Sequence, residues 1–172
     1  MNLQSDDFDL FGLSRSYAQD RAALDAAWKA LQRQAHPDKF AAEGAAAQRL
    51  AMQWSVRINE AYQRLKDPIR RAAYLCELAG FPIIAHHNTA MPAAFLMQQM
   101  EWHEALDAAD SAEAIDALAD EVRAQLTEML AQCAQQLDVA QDYAGAVQTV
   151  RALMFVDKFG QDVMARQHAL DA

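Results

Sequence analysis

The sequence predicts an all-α chain, a helical hairpin followed by an antiparallel three-helix bundle, and three observations lead there. Good helix formers (Ala, Leu, Gln, Met, Glu) recur throughout its 172 residues. Apolar residues repeat at spacings of three and four. Helix breakers are few, 5 Gly and 4 Pro in all. At 53% hydrophobic the chain can bury a sizeable core.

Phe8, Leu10, Phe11 and Leu13 form a short apolar opening that ends near Gly12. From Asp20, a plausible N-cap, Leu24, Trp28 and Leu31 share one helical face. That helix stops before His36-Pro37-Asp38, because a proline fixes φ, lacks an N–H and pushes its predecessor out of the α region. A helix of about 35 Å is expected from about Gly44 to Lys66, with Leu50, Trp54, Ile58, Ala61, Tyr62 and Leu65 facing inward. Asp67-Pro68 interrupts it, and Pro68 suits the first turn of a short helix to Leu78 that ends at Gly80. Gly80 to Pro92 reads as linker. Three further helices are expected at roughly 92–109, 112–138 and 142–169, the middle one with a seam of Ile115, Leu118, Val122, Leu126, Leu130, Cys133 and Leu137. The expected domains are 1–80 and 92–172, joined by 81–91.

Charge divides the chain. Residues 1–80 carry 11 Lys+Arg against 10 Asp+Glu, whereas 81–172 carry 4 against 14. A net charge of −9 disfavours a nucleic-acid partner. No segment has the apolar length of a membrane span or the pattern of a secretory signal, so a cytoplasmic location is expected. Cys76 and Cys133 lie within helical patterns and form no Cys-x-x-Cys pair, which suits buried reduced thiols better than a metal site.

His36 is presented at a corner between two helices, where a side chain is well placed to meet a partner. The plain alternative is a helix stop in which Asp38 bonds local backbone N–H groups. Arg21, Lys29 and Arg33 lie at multiples of four and share a face, with Asp25 among them, and Lys39 follows the tripeptide. Further on, Ile58-Asn-Glu-Ala-Tyr-Gln-Arg-Leu-Lys-Asp-Pro-Ile-Arg-Arg-Ala-Ala-Tyr74 closes the long helix.

Taken in order over roughly 8–75, these residues resemble a DnaJ-type J-domain. The resemblance implies binding to the ATPase domain of a heat-shock-seventy-class chaperone and stimulation of its ATP hydrolysis. His36, Pro37 and Asp38 would be the trigger, and Lys29, Arg33 and Lys39 the electrostatic contacts. Ala35 departs from the pattern, since an aromatic residue commonly stands before the histidine.

On the helix that opens the second half, Phe95, Trp102 and Leu106 fall on one face at 100° per residue. Leu96, Met97 and Met100 lie roughly opposite, bordered by Glu101 and Glu104. One apolar face suffices to join a bundle, so the Met-rich second face is a candidate docking surface, unless the first half covers it. With Gln32-Arg-Gln-Ala-His-Pro-Asp-Lys-Phe40, the stretches Ala94-Phe-Leu-Met-Gln-Gln-Met-Glu101 and Val150-Arg-Ala-Leu-Met-Phe-Val-Asp-Lys-Phe159 resemble bacterial iron–sulfur-cluster co-chaperones of the HscB type. That likeness spans nearly the whole chain. It implies an HscA-like chaperone and an IscU-like scaffold protein as partners, with Leu96, Met97, Met100, Glu101, Glu104 and Phe155 as the scaffold-binding face. Met100 stands where leucine is usual, a mild change in volume. Absence of an N-terminal cysteine-pair module favours a bacterial form.

Other motifs carry less. His86-His87 reads as solvated linker histidines, and His103-Glu104-Ala-Leu-Asp107 ends in Asp where the zinc pattern needs His. A His36/Asp38 catalytic pair lacks a nucleophile and an oxyanion site, so no activity of the chain's own, no cofactor and no metal are expected. A general co-chaperone of a DnaK-like chaperone with other clients is the alternative reading.

Overall fold

The computed structural model describes residues 2–84 and 91–171, and these contain helices and turns but no strand. The linker histidines His86 and His87, and most of the expected linker, lie outside the described residues. The chain divides into two compact units, Met1–Leu75 and Cys76–Ala172.

The first unit is built on a hairpin. Helix α1 (Asp7–Phe11) is capped by the Asp6 side chain, which accepts from Asp9 N, and it ends at Gly12 with φ 65°, a left-handed cap that glycine adopts without strain. Helix α2 (Arg21–Ala35) starts at Asp20, whose carboxylate accepts from Ala22 N as expected of an N-cap. It ends at His36, held at φ −62° and ψ 126° as the residue before a proline must be. A 3-10 segment (Pro37–Glu43) leads to helix α3 (Ala45–Lys66). The Asp67 carboxylate then accepts from Ile69 N and Arg70 N, which opens helix α4 (Pro68–Leu78). Phe8, Leu24, Ile58, Ala61, Leu65 and Ala72 make the core, with Tyr62 and Tyr74 at its edge.

The expected inward stripe of α3 needs one correction. Leu50 is exposed, because each step of four turns the stripe by about 40°, which carries Leu50 off the face of Ile58 while Ala51, seven residues before Ile58, stays on it. Ala51 is buried in its place, while Trp54, like Trp28 and Leu31 of α2, is half-buried.

In the second unit, helices α5 (Ala93–Ala108), α6 (Ala112–Ala134) and α7 (Tyr143–Asp171) form the bundle. Ser111 caps α6 by accepting from Ala114 N. Val150, Leu153, Val156, Phe159 and Val163 give α7 a seam of three- and four-residue steps that packs on α6. A Cβ added at Gly160 would stand 3.4 Å from Val122 Cγ1, so the two helices approach closely there. Two details differ from expectation. Met129 is buried where Leu126 and Leu130 are half-buried, and α6 runs on through a π turn (Gln135–Ala140), so the joint to α7 shrinks to Gln141 and Asp142. Cys76 and Cys133 are free and buried, and burial pushes their thiols up to about 11 and about 12.

Candidate functional site

The first candidate site is the α2 corner. The His36 side chain is 58% exposed and that of Asp38 91%. Proline ended the helix as expected, but the local bonding reverses the plain reading. His36 Nδ1 accepts from Asp38 N at 3.3 Å, so the imidazole caps the 3-10 segment while the Asp38 carboxylate projects into solvent. Lys39 N donates to His36 O at 3.0 Å and closes the turn. The same Nδ1 lies 3.6 Å from Asp38 Oδ2, so ring and carboxylate stand side by side at the corner. Pro37 is half-buried, whereas Lys29, Arg33 and Lys39 are exposed.

The basic stripe is tied to the hairpin at its start. Arg21 Nε donates to Asp25 Oδ1 at 3.0 Å, and the Tyr62 hydroxyl donates to the same oxygen at 2.6 Å. The Tyr62 hydrogen bond, aided by Arg21 and by the Lys29 charge, holds Asp25 below the usual carboxylate range. Asp25 therefore stays ionised and anchors Arg21 at the start of the stripe. Trp28 stacks on Tyr62 with ring centroids 4.7 Å apart.

The second candidate site lies on the bundle. Trp102 is buried against Phe159, ring centroids 5.4 Å apart, and fixes which face of α5 points inward. Phe95 and Leu106, expected beside it, are half-buried, and Gln99 is buried among them. The wheel puts Gln99 on that face, but its polarity hid it from a search for apolar residues. Leu96 is 47% exposed, Met97 61% and Met100 62%, and Glu101 and Glu104 are exposed beside them. Phe155, 44% exposed on α7, meets the Phe95 ring edge-on at 6.2 Å, which sets it beside the first turns of α5. An apolar surface of this kind is uncommon on a soluble domain unless something covers it. Among the described residues no group of His, Cys, Asp or Glu is gathered to hold a metal ion.

Comparison with known proteins decides the family. The chain is 47% identical over 174 residues to the co-chaperone protein HscB homolog of Burkholderia multivorans, covering 99% of each. The chain belongs to the HscB co-chaperone family. Residues 91–164 match the family model described as the HSCB C-terminal oligomerisation domain. Among solved structures, chaperone HscB from Vibrio cholerae superposes with a TM-score of 0.86 at 35% identity, over 96% of this chain and 99% of that one. Human co-chaperone protein HscB superposes with a TM-score of 0.93 at 25% identity, over 97% of this chain and 84% of that one. The all-α architecture is thus that of HscB proteins, and among the described residues no helix is long and apolar enough to cross a membrane.

Proposed function

We propose that this co-chaperone serves iron–sulfur cluster assembly. Its first unit stimulates the ATPase of an HscA-like heat-shock-seventy-class chaperone, and its second unit delivers an IscU-like scaffold protein to it. The observation that carries the reading is the pairing, in one chain, of an exposed His36 at a helix corner with a separate Met-rich face. His36, Pro37 and Asp38 form the trigger, and Lys29, Arg33 and Lys39 steer the chaperone onto it. Leu96, Met97, Met100 and Phe155 supply the apolar contact to the scaffold, while Glu101 and Glu104 at its border select a basic rim. Holding both partners on one chain raises the effective concentration of client at the chaperone. ATP is hydrolysed by the partner, so the chain needs no nucleotide, cluster or metal of its own, and it works in the bacterial cytoplasm.

The test is the chaperone's ATPase rate with this protein and the scaffold added separately and together. His36→Gln is expected to leave circular dichroism and melting nearly unchanged, since the ring is exposed, and to abolish stimulation. Retained stimulation refutes the trigger. Replacing Leu96, Met100 and Phe155 together with Ala is expected to weaken scaffold binding by about tenfold or more while sparing stimulation in the scaffold's absence. Unchanged scaffold binding refutes the docking face, and stimulation of a DnaK-like chaperone without any scaffold binding would favour a general co-chaperone.

A further inference from the structure

Helix α2 fully buries only Leu24 and Ala35, about three turns apart, with Trp28 and Leu31 half-buried between them. An alanine methyl contributes little burial and offers no knob to resist sliding. A different set of contacts spans the gap. Trp28 Nε1 donates to Asn59 Oδ1 at 3.0 Å, and Gln32 Nε2 donates to the same oxygen at 2.7 Å. Ser55 Oγ in turn donates to Gln32 Oε1 at 3.1 Å. Trp28 and Gln32 are four residues apart on α2, and Ser55 and Asn59 four apart on α3, so the ridges of the two helices meet rung by rung. Tyr62 and Asp25 continue the ladder one turn beyond.

Gln32 uses both ends of its amide, donating from nitrogen to one α3 residue and accepting at oxygen from another a turn away. A shift of α2 along α3 by one residue breaks both bonds, whereas an apolar contact tolerates sliding. Gln32 stands one helical turn before His36 and beside Arg33.

We propose that Gln32 and Asn59 are positioning residues, fixing the register of α2 on α3 and thereby the place of the His36 corner and the Arg33 cation. This rests on the reading that the corner engages a chaperone ATPase. The rungs are exposed to water, so each adds little to global stability; their work is to select one register among close alternatives. When only a fraction of molecules holds the binding register, the partner's apparent affinity falls by that fraction while the saturated complex is unchanged.

The test compares the full-length wild type with Asn59→Leu and Asn59→Asp. Both rungs at Asn59 use its Oδ1 as acceptor, so aspartate keeps the ladder and leucine removes it. For Asn59→Leu the half-saturating concentration for chaperone ATPase stimulation is expected to rise about three- to tenfold at an unchanged plateau. Amide exchange at residues 36–39 is expected to quicken, read at Lys39 N–H, which donates to His36 O. Asn59→Asp is expected to stay within about twofold of wild type in both readouts. Equal behaviour of Asn59→Leu and wild type overturns the proposal, as does an Asn59→Asp protein as impaired as Asn59→Leu, which would make Asn59 a direct contact. Should Asn59→Leu unfold, Gln32→Met keeps length and helix propensity and carries the same expectation. A wild type that stimulates no chaperone sinks the functional reading, whereas exchange at the corner needs no chaperone and judges the register argument alone.

Discussion

Asp7 has a fully buried carboxylate, an expensive placement unless the charge is met by others. Arg64 meets it with Nε 2.6 Å from Oδ2 and Nη2 3.3 Å from Oδ1. Arg57 Nη1 lies 2.8 Å from Oδ1, close enough for an ion pair but off the line of a hydrogen bond. The same Arg57 donates from Nη2 to Ser5 O at 2.8 Å, and Arg64 lies over the Tyr74 ring, 4.6 Å from its centroid. One carboxylate therefore ties α1 to α3, and the Asp7 N–H donates to the Tyr74 hydroxyl oxygen of α4 at 3.0 Å. Asp7→Asn keeps the volume but leaves two guanidiniums facing a neutral group. It is expected to cost about 3 kcal/mol, the lower end for a broken buried pair because both arginines reach water. Urea unfolding followed by tryptophan fluorescence should show a lower midpoint at an unchanged slope. Asp162→Asn, which breaks an exposed pair with Lys158, is the control and should cost no more than about 0.5 kcal/mol. Equal losses for the two would mean that the Asp7 pair is no better than a surface one.

At the scale of elements, what was legible depended on whether one residue or two neighbours decide the outcome. Helix ends are decided locally, so Asp20, Pro37, Pro68 and Gly80 marked them correctly in the sequence. The two faces of α5 were legible for the same reason, since a wheel needs one helix. Which residue faces inward on α6 was not, because Leu126 to Cys133 is bridged in steps of three and four through either Met129 or Leu130. Packing against two helices, not periodicity, selected Met129. Leu50 lies exposed because repeated steps of four drift around the helix, and Ala51, which stays on the buried face, is too small to stand out in an apolar pattern. The π turn was hidden because Cys133 and Leu137 continue the apolar step straight through it. The His36 corner was readable from Pro37, but the imidazole cap on Asp38 N depends on a rotamer, and the ladder at Asn59 exists only once α2 and α3 are paired.

Across the whole molecule the two candidate surfaces differ in the physics that would drive them, and ionic strength separates them. The corner presents exposed Lys29, Arg33 and Lys39 on the half of the chain that is nearly neutral, so its attraction to an acidic partner is local and open to screening. The bundle face is apolar at its centre, where burial of Leu96, Met97, Met100 and Phe155 would dominate and salt has little hold. Glu101 and Glu104 stand at its border, and rim charges act chiefly on association rates. Raising monovalent salt from about 0.05 to about 0.3 M shortens the screening length from more than 10 Å to about 6 Å. The half-saturating concentration for chaperone stimulation is expected to rise severalfold over that range, through slower association. Scaffold affinity, measured on the same protein by calorimetry, is expected to hold within about twofold, with a negative heat-capacity change marking apolar burial. The reverse pattern, a salt-sensitive scaffold and an indifferent chaperone, would exchange the roles assigned to the two surfaces, because a stripe of solvated cations cannot bind without feeling the ions around it.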